Sequence, residues 1–123
     1  MVADINDLLG RPWVGASWEG FVVEQTMATL LQIGAPFDAS YFRTSDGWES
    51  DLVLDFGKER WAIEIKLTTA PTRQHLARLN KAADMVGATR RFLVSQTPTP
   101  LTQGQTWSCG LGGMLDEVVA RFA

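Results

Sequence analysis

The sequence predicts an α/β domain: a mixed central β-sheet of four or five strands flanked by α-helices. Three observations carry this. Residues 51–56 (DLVLDF) and 61–67 (WAIEIKL) alternate apolar and polar on either side of Gly57-Lys58, as the two arms of a β-hairpin do. Residues 72–86 follow with apolar side chains at helical spacing and lead into a second apolar run, Phe92-Leu93-Val94; strand, helix, strand is the order of a right-handed parallel crossover, so the sheet is mixed. Helical patterns at 17–33 and 114–122 supply further cover. With 123 residues and 46% hydrophobic content, residues 1–123 make one domain with one core.

Taken in order, residues 17–33 (SWEGFVVEQTMATLLQI) are apolar around most of the circumference, so the helix should be mostly buried, with Ser17 as N-cap and Gly34 as the stop. Tyr41-Phe42-Arg43 reads as a short strand running into the turn Thr44-Ser45-Asp46-Gly47. A two-residue loop at Gly57-Lys58 sets Asp51 directly opposite Glu64. Trp61, Ile63, Ile65 and Leu67 then share one face with Leu52, Leu54 and Phe56, while Asp51, Val53, Asp55, Ala62, Glu64 and Lys66 share the other. Any even loop keeps that grouping; an odd loop or a bulge would break it. Leu76, Leu79, Ala83 and Val86 form the buried stripe of the second helix. Thr106-Trp107-Ser108 reads as an edge strand, and Gly110-Leu111-Gly112-Gly113 as a turn before the closing helix.

The net charge of −3 opposes nucleic-acid binding by the molecule as a whole, but the charge is segregated. Residues 1–57 hold nine acids against Arg11 and Arg43, whereas residues 58–91 hold eight bases against Glu59, Glu64 and Asp84. Arg73, Arg78, Lys81, Arg90 and Arg91 follow the second hairpin strand and are expected to rim its polar face. Cys109 is the single cysteine, which excludes an internal disulfide. An acidic N-terminus and the lack of any apolar run of membrane-spanning length complete the expectation of a cytoplasmic protein with no membrane partner.

Chemistry gathers on one face of the hairpin. Opposed carboxylates there have Cβ atoms roughly 4.5–5.5 Å apart, near enough to share one small cation. Uncompensated, two charges about 4 Å apart at an effective dielectric near 20 repel by on the order of 4 kcal/mol. Lys66 offsets part of this, and a divalent ion held by oxygen ligands can offset all of it while leaving positions for water and a phosphate oxygen. An ammonium beside such a site can orient the attacking water or stabilise charge on the phosphate. The plainer reading of Glu64 and Lys66 is a solvated strand face with a neighbouring ion pair.

Asp51 followed by Glu64-Ile65-Lys66 resembles the Asp, Glu-x-Lys core of the PD-(D/E)XK nuclease-like superfamily. Residues 8–24 (LLGRPWVGASWEGFVVE), 41–54 (YFRTSDGWESDLVL) and 62–66 (AIEIK) are similar to the C-terminal nuclease-like domain of unknown function, family 4143, of prokaryotic AAA-type ATPases. The likeness covers about residues 7–96 and implies a restriction-endonuclease-like fold. It implies a deoxyribonuclease that uses Mg²⁺ or Mn²⁺, with Asp51, Glu64 and the Ile65 carbonyl as metal ligands and Lys66 beside the water. Glu19 of the preceding helix orients the water or a second ion, with Glu24 the weaker candidate. The implied partner is DNA, with Arg43 of a family motif a candidate phosphate contact, although it pairs equally well with Asp46 or Glu49; an ATPase partner is also implied. From the residues themselves, the basic segment offers Arg73 and Lys81 as DNA contacts, and a domain this small with Trp48, Trp107 and apolar termini to cover is expected to form a twofold dimer.

No G-x-x-x-x-G-K-[ST] phosphate loop is present, so ATP hydrolysis is not expected, and the chain reads as a truncated relative or an excised domain. The rival expectation is an inactive nuclease-like module that binds DNA or protein. His75 is expected at the surface or in helix packing, Gln74 at the surface or near the metal. Among the tryptophans Trp48 is the one expected to be exposed, while Trp13, Trp18, Trp61 and Trp107 are expected in the core.

Overall fold

The computed structural model describes residues 17–123 and the backbone of residues 2–4; Trp13 and the rest of residues 5–16 lie outside the described residues. The elements are β1 (Val2–Asp4), α1 (Trp18–Ile33), β2 (Asp38–Arg43), β3 (Glu49–Asp55), β4 (Arg60–Ile65), α2 (Arg73–Val86), β5 (Arg90–Val94), β6 (Leu101–Gln103), β7 (Thr106–Cys109) and α3 (Leu111–Phe122). The fold is α/β with a mixed sheet flanked by helices. Its seven described strands run in the order β1-β2-β3-β4-β5-β7-β6. Five of them match the expected sheet. The other two, β1 and β6, are three-residue strands at the two edges, too short to show an alternating pattern. The expected edge strand β7 is therefore internal, parallel to β5 and antiparallel to β6.

The hairpin has the expected register: Leu52 faces Ile63, Leu54 faces Trp61 and Asp55 faces Arg60. Gly57 has φ 88° and among the described residues only glycines have positive φ, so Lys58 does not; positive φ at the first loop position alone is the type II′ pattern. Asp55 fixes the turn by accepting from the Gly57 amide at 2.8 Å and pairing with Arg60 at 2.9 Å. Strand β4 pairs in parallel with β5 through the α2 crossover. Thr72 caps α2, accepting from the His75 amide while the His75 ring Nδ1 accepts from the Thr72 amide, a reciprocal box at 3.2 and 3.1 Å.

The sheet separates two cores. On one face Leu52, Leu54, Trp61, Ile63, Ile65, Phe92 and Val94 pack under Val22, Val23 and Leu30 of α1 and Met114 and Val118 of α3. Trp61 lies at the centre of an aromatic group, with ring centroids 5.4 Å from Phe56, 5.0 Å from Phe92 and 5.5 Å from Phe122. Such pairs each add about 0.5–1.5 kcal/mol beyond the area they bury. On the other face Phe42, Val53 and Ala62 pack under Ala82, Ala83 and Val86 of α2.

Several expectations are corrected. Leu67 is 70% exposed, because β4 ends at Ile65 and the alternation does not continue. Helix α1 is capped at Ser17 and Gly34 as expected, but it is not mostly buried: Phe21 and Leu31 are exposed. The glycines at 110–113 are not a turn, since Gly110 is the N-cap of α3 and Gly112 and Gly113 lie in its first turn. A Cβ on Gly113 would stand 3.3 Å from the Cys109 Cβ, so close packing accounts for the small residue there.

Candidate functional site

Strand β3 carries an irregularity where the site begins. Between the pairs Ser40–Val53 and Phe42–Ser50, β2 advances two residues and β3 three, so β3 holds one extra residue around Asp51 and Leu52. Such a bulge bends a strand and re-aims its side chains. The β3–β4 ladder accordingly stops at Leu52–Ile63, and side chains replace the missing rungs. The buried Ser50 hydroxyl donates toward the Ile63 carbonyl at 3.2 Å, and Asp51 Oδ2 accepts from the Ile65 amide at 2.7 Å. The bulge that could have scattered the polar face instead ties Asp51 to the strand bearing Glu64.

Asp51 and Glu64 meet there, with Lys66 Nζ 3.5 Å from Glu64 Oε1. Glu64 is only 6% exposed. Burial pushes its carboxyl up to about 7, against the lowering pull of Lys66 and of a hydrogen bond with Asp51. Asp51 is raised well above the usual carboxylate range by burial first, then by the charges of Glu64 and Glu19, with the Ile65 amide opposing. Both shifts disfavour full ionisation of the pair.

One residue that sequence reasoning missed completes the group. Glu49 brings a carboxylate oxygen to the cluster, and one ligand atom from each of Glu49, Asp51 and Glu64 lies within 4.8 Å of the others. The signal was its place two residues before Asp51 on the same strand; it had been considered only as a partner of Arg43, with which it does pair at 3.5 Å. Octahedral Mg²⁺ with bonds of about 2.0–2.1 Å sets opposite oxygens about 4 Å apart, so this all-oxygen set fits a hard divalent cation after a small contraction. Glu19, in the first turn of α1, is near enough to act on Asp51 by charge but is outside that trio. Ile65 touches Asp51 through its amide; that is the contact by which it enters the site.

A small cleft, open to solvent, is lined by Glu49, Glu64 and Lys66 of this group and by Trp48, His75 and Arg78. Trp48 is only partly exposed and packs on the α2-side core. Arg73, Gln74 and Lys81 are exposed and do not line the cleft. Arg90 and Arg91 do not rim it either. Register places Arg90 beside Trp61 on the opposite sheet face, where it stacks 4.3 Å from the Trp107 centroid and pairs with Glu117 at 3.5 Å. Arg91 pairs with Asp84 at 2.6 Å and ties down the end of α2.

The sequence pattern of one family, described as a domain of unknown function (DUF4143), matches residues 14–111. The chain belongs to that family. Two uncharacterized proteins, one of Mycobacterium tuberculosis and one of Mycobacterium bovis, are each 33% identical to this DUF4143 chain over 117 residues. Each match covers 89% of the chain and 25% of the relative, so the chain spans about a quarter of the length of the curated relatives it matches. No solved structure matches the DUF4143 chain significantly. Among its described residues no helix is long and apolar enough to cross a membrane.

Proposed function

We propose that this DUF4143 domain is a metal-dependent nuclease of the PD-(D/E)XK kind that hydrolyses DNA phosphodiesters. The observation that carries the reading is the meeting of Glu49, Asp51 and Glu64 within 4.8 Å beside the Lys66 ammonium at an open cleft. The chain order supports it: a helix acid at Glu19, then Asp51, then Glu64-Ile65-Lys66 on the paired strand. Mg²⁺ or Mn²⁺ would polarise the phosphate and lower the pKa of a bound water. The three carboxylates would hold the ion, and its charge would offset their mutual repulsion. Lys66, turned toward Glu64, would stabilise charge developing on the phosphate, and Glu19 would add negative potential near the water. In longer relatives the domain would act with other parts of the chain, an AAA-type ATPase being the partner that the resemblance suggests.

A second reading has its own support. The Lys66–Glu64 contact and the Ile65 amide on Asp51 satisfy the site without an ion, as suits an inactive nuclease-like module. Plasmid DNA with millimolar Mn²⁺ or Mg²⁺ separates the two. The nuclease reading expects cleavage by wild type and a loss of at least about 100-fold in Asp51→Asn, Glu64→Gln and Lys66→Ala. No cleavage by wild type with either ion selects the inactive module.

A further inference from the structure

The cleft wall facing the carboxylates is built around one arginine. Among the described arginines, Arg43, Arg60, Arg90, Arg91 and Arg121 each pair with a carboxylate. Arg73 and Arg78 pair with none among the described residues, and of these two only Arg78 borders the cleft, where it is held in place. Its guanidinium lies 4.7 Å from the Trp48 ring centroid and donates through Nη2 to the Gly47 carbonyl at 2.9 Å. The Thr44–Trp48 turn that presents both groups is itself closed by Thr44 N–H to Trp48 O at 2.8 Å and by Trp48 N–H to Thr44 Oγ1 at 3.0 Å. Lys81, three residues further along the exposed side of α2, has its ammonium 5.6 Å from the same ring and also lacks a carboxylate partner among the described residues.

A cation ordered by an aromatic ring and one carbonyl keeps most of its five donors for another acceptor. Arg78 borders the cleft that Glu49, Glu64 and Lys66 line. An isolated anion would be repelled by those carboxylates. A polyanion can set one phosphate among them and extend its neighbours over the basic side, and Arg78 followed by Lys81 marks that direction along α2.

We infer that Arg78, stacked on Trp48, is the principal phosphate-binding residue of this cleft, gripping the backbone of duplex DNA next to the phosphate over the carboxylates, with Lys81 continuing the track. This rests on the nuclease reading for the choice of polyanion. It shifts the main DNA contact away from Arg43, which is engaged with Glu49, and from Arg73, which lies outside the cleft.

Binding of a fluorescent DNA duplex in EDTA tests it, with thermal melts as the folding control. Arg78→Ala should weaken binding about 10- to 100-fold, as loss of a charged hydrogen bond does, and lower the salt slope by about 0.9. Arg78→Lys should recover only part, since it keeps the charge and loses the planar fork. Trp48→Leu should weaken wild type but add little in the Arg78→Ala background, because the ring acts through the guanidinium. Unchanged affinity in Arg78→Ala, no duplex binding by wild type, or binding confined to duplex RNA would each overturn the assignment. Because no metal is present, a wild type that binds duplex through Arg78 yet cleaves nothing with Mn²⁺ removes the nuclease reading and leaves this one standing.

Discussion

Asp51 Oδ2 accepts a 2.7 Å hydrogen bond from the backbone amide of Ile65, so a carboxylate occupies the position where the β3–β4 ladder would otherwise continue. The group serves the sheet through one oxygen and the acidic cluster through its charge. Replacing it separates the two roles.

Asp51→Asn should keep the rung, with the amide oxygen accepting from Ile65 and the amide nitrogen donating to Glu64. It should stabilise the metal-free protein near pH 7.5 by on the order of 1 kcal/mol, which raises the melting temperature by about 4 °C. Asp51→Ala leaves the Ile65 amide without this acceptor and should lower stability by about 1–3 kcal/mol. Calorimetric melts in EDTA check both signs. A drop in both variants would show that the charge itself stabilises the fold.

The same pair sets the direction of the pH dependence. Asp51 and Glu64 have folded pKa values above their unfolded ones, so between about pH 4 and pH 7 the folded state binds more protons than the unfolded chain. The Glu64 contribution is complete below about pH 4 and is lost as pH rises through about 7, and Asp51, also raised, acts in the same sense. Asp55, lowered by the Gly57 amide and Arg60, works in the opposite sense, as does Glu59, where burial is outweighed by hydrogen bonds from Arg121 and Trp61. Their stabilisation is present above about pH 4 and fails below it. Metal-free melts should therefore rise as pH falls from 8 to 5 and drop in stronger acid. A flat profile from 8 to 5 would refute this account of the pair.

Glu49 and Glu19 can be ranked by metal binding. Wild type should gain stability in millimolar Mn²⁺, reaching about 2.7 kcal/mol at 100 times the dissociation constant. Glu49→Gln should abolish most of that gain and Glu19→Gln only a small part, because Glu49 belongs to the three-carboxylate group and Glu19 acts from outside it. Thermal shifts with and without Mn²⁺ measure both, and the reverse order would put Glu19 in the ion's inner shell.

Gly57→Ala should destabilise the domain by about 1–2 kcal/mol. Its φ of 88° is strained for any residue with a Cβ, although nothing lies within 4 Å of where that Cβ would stand. Urea denaturation measures the change, and an unchanged midpoint would mean that the hairpin turn relaxes freely.

The hairpin was legible because a two-residue loop with glycine first fixes both register and parity, and so brings Asp51, Glu64 and Lys66 together. Glu49 was overlooked although its spacing of two from Asp51 puts both on one strand face, because the run read as a strand began only at Asp51. Arg90 and Arg91 were misplaced because the register of a parallel pair follows from the whole α2 crossover, and no short turn encodes it. The glycines at 110–113 looked like a turn because glycine is a poor helix former, at about 1 kcal/mol per residue against alanine; at Gly113 close packing beside Cys109 favours the small residue nonetheless. Trp48, expected to be the exposed tryptophan, is half-buried like Trp18 and Trp107, and nothing in the sequence announced the arginine that lies over it.

The rung made by Asp51 also constrains how such a domain can age. A lineage that gave up its cation would be free to let Glu49, Glu64 and Lys66 drift, since none of them closes a gap in the backbone ladder. Position 51 would not share that freedom: an acceptor must still meet the Ile65 amide, so the short amide of asparagine is the natural resting state. On the nuclease reading, asparagine at 51 beside altered residues at 49 and 64 would be the fossil of a retired catalyst.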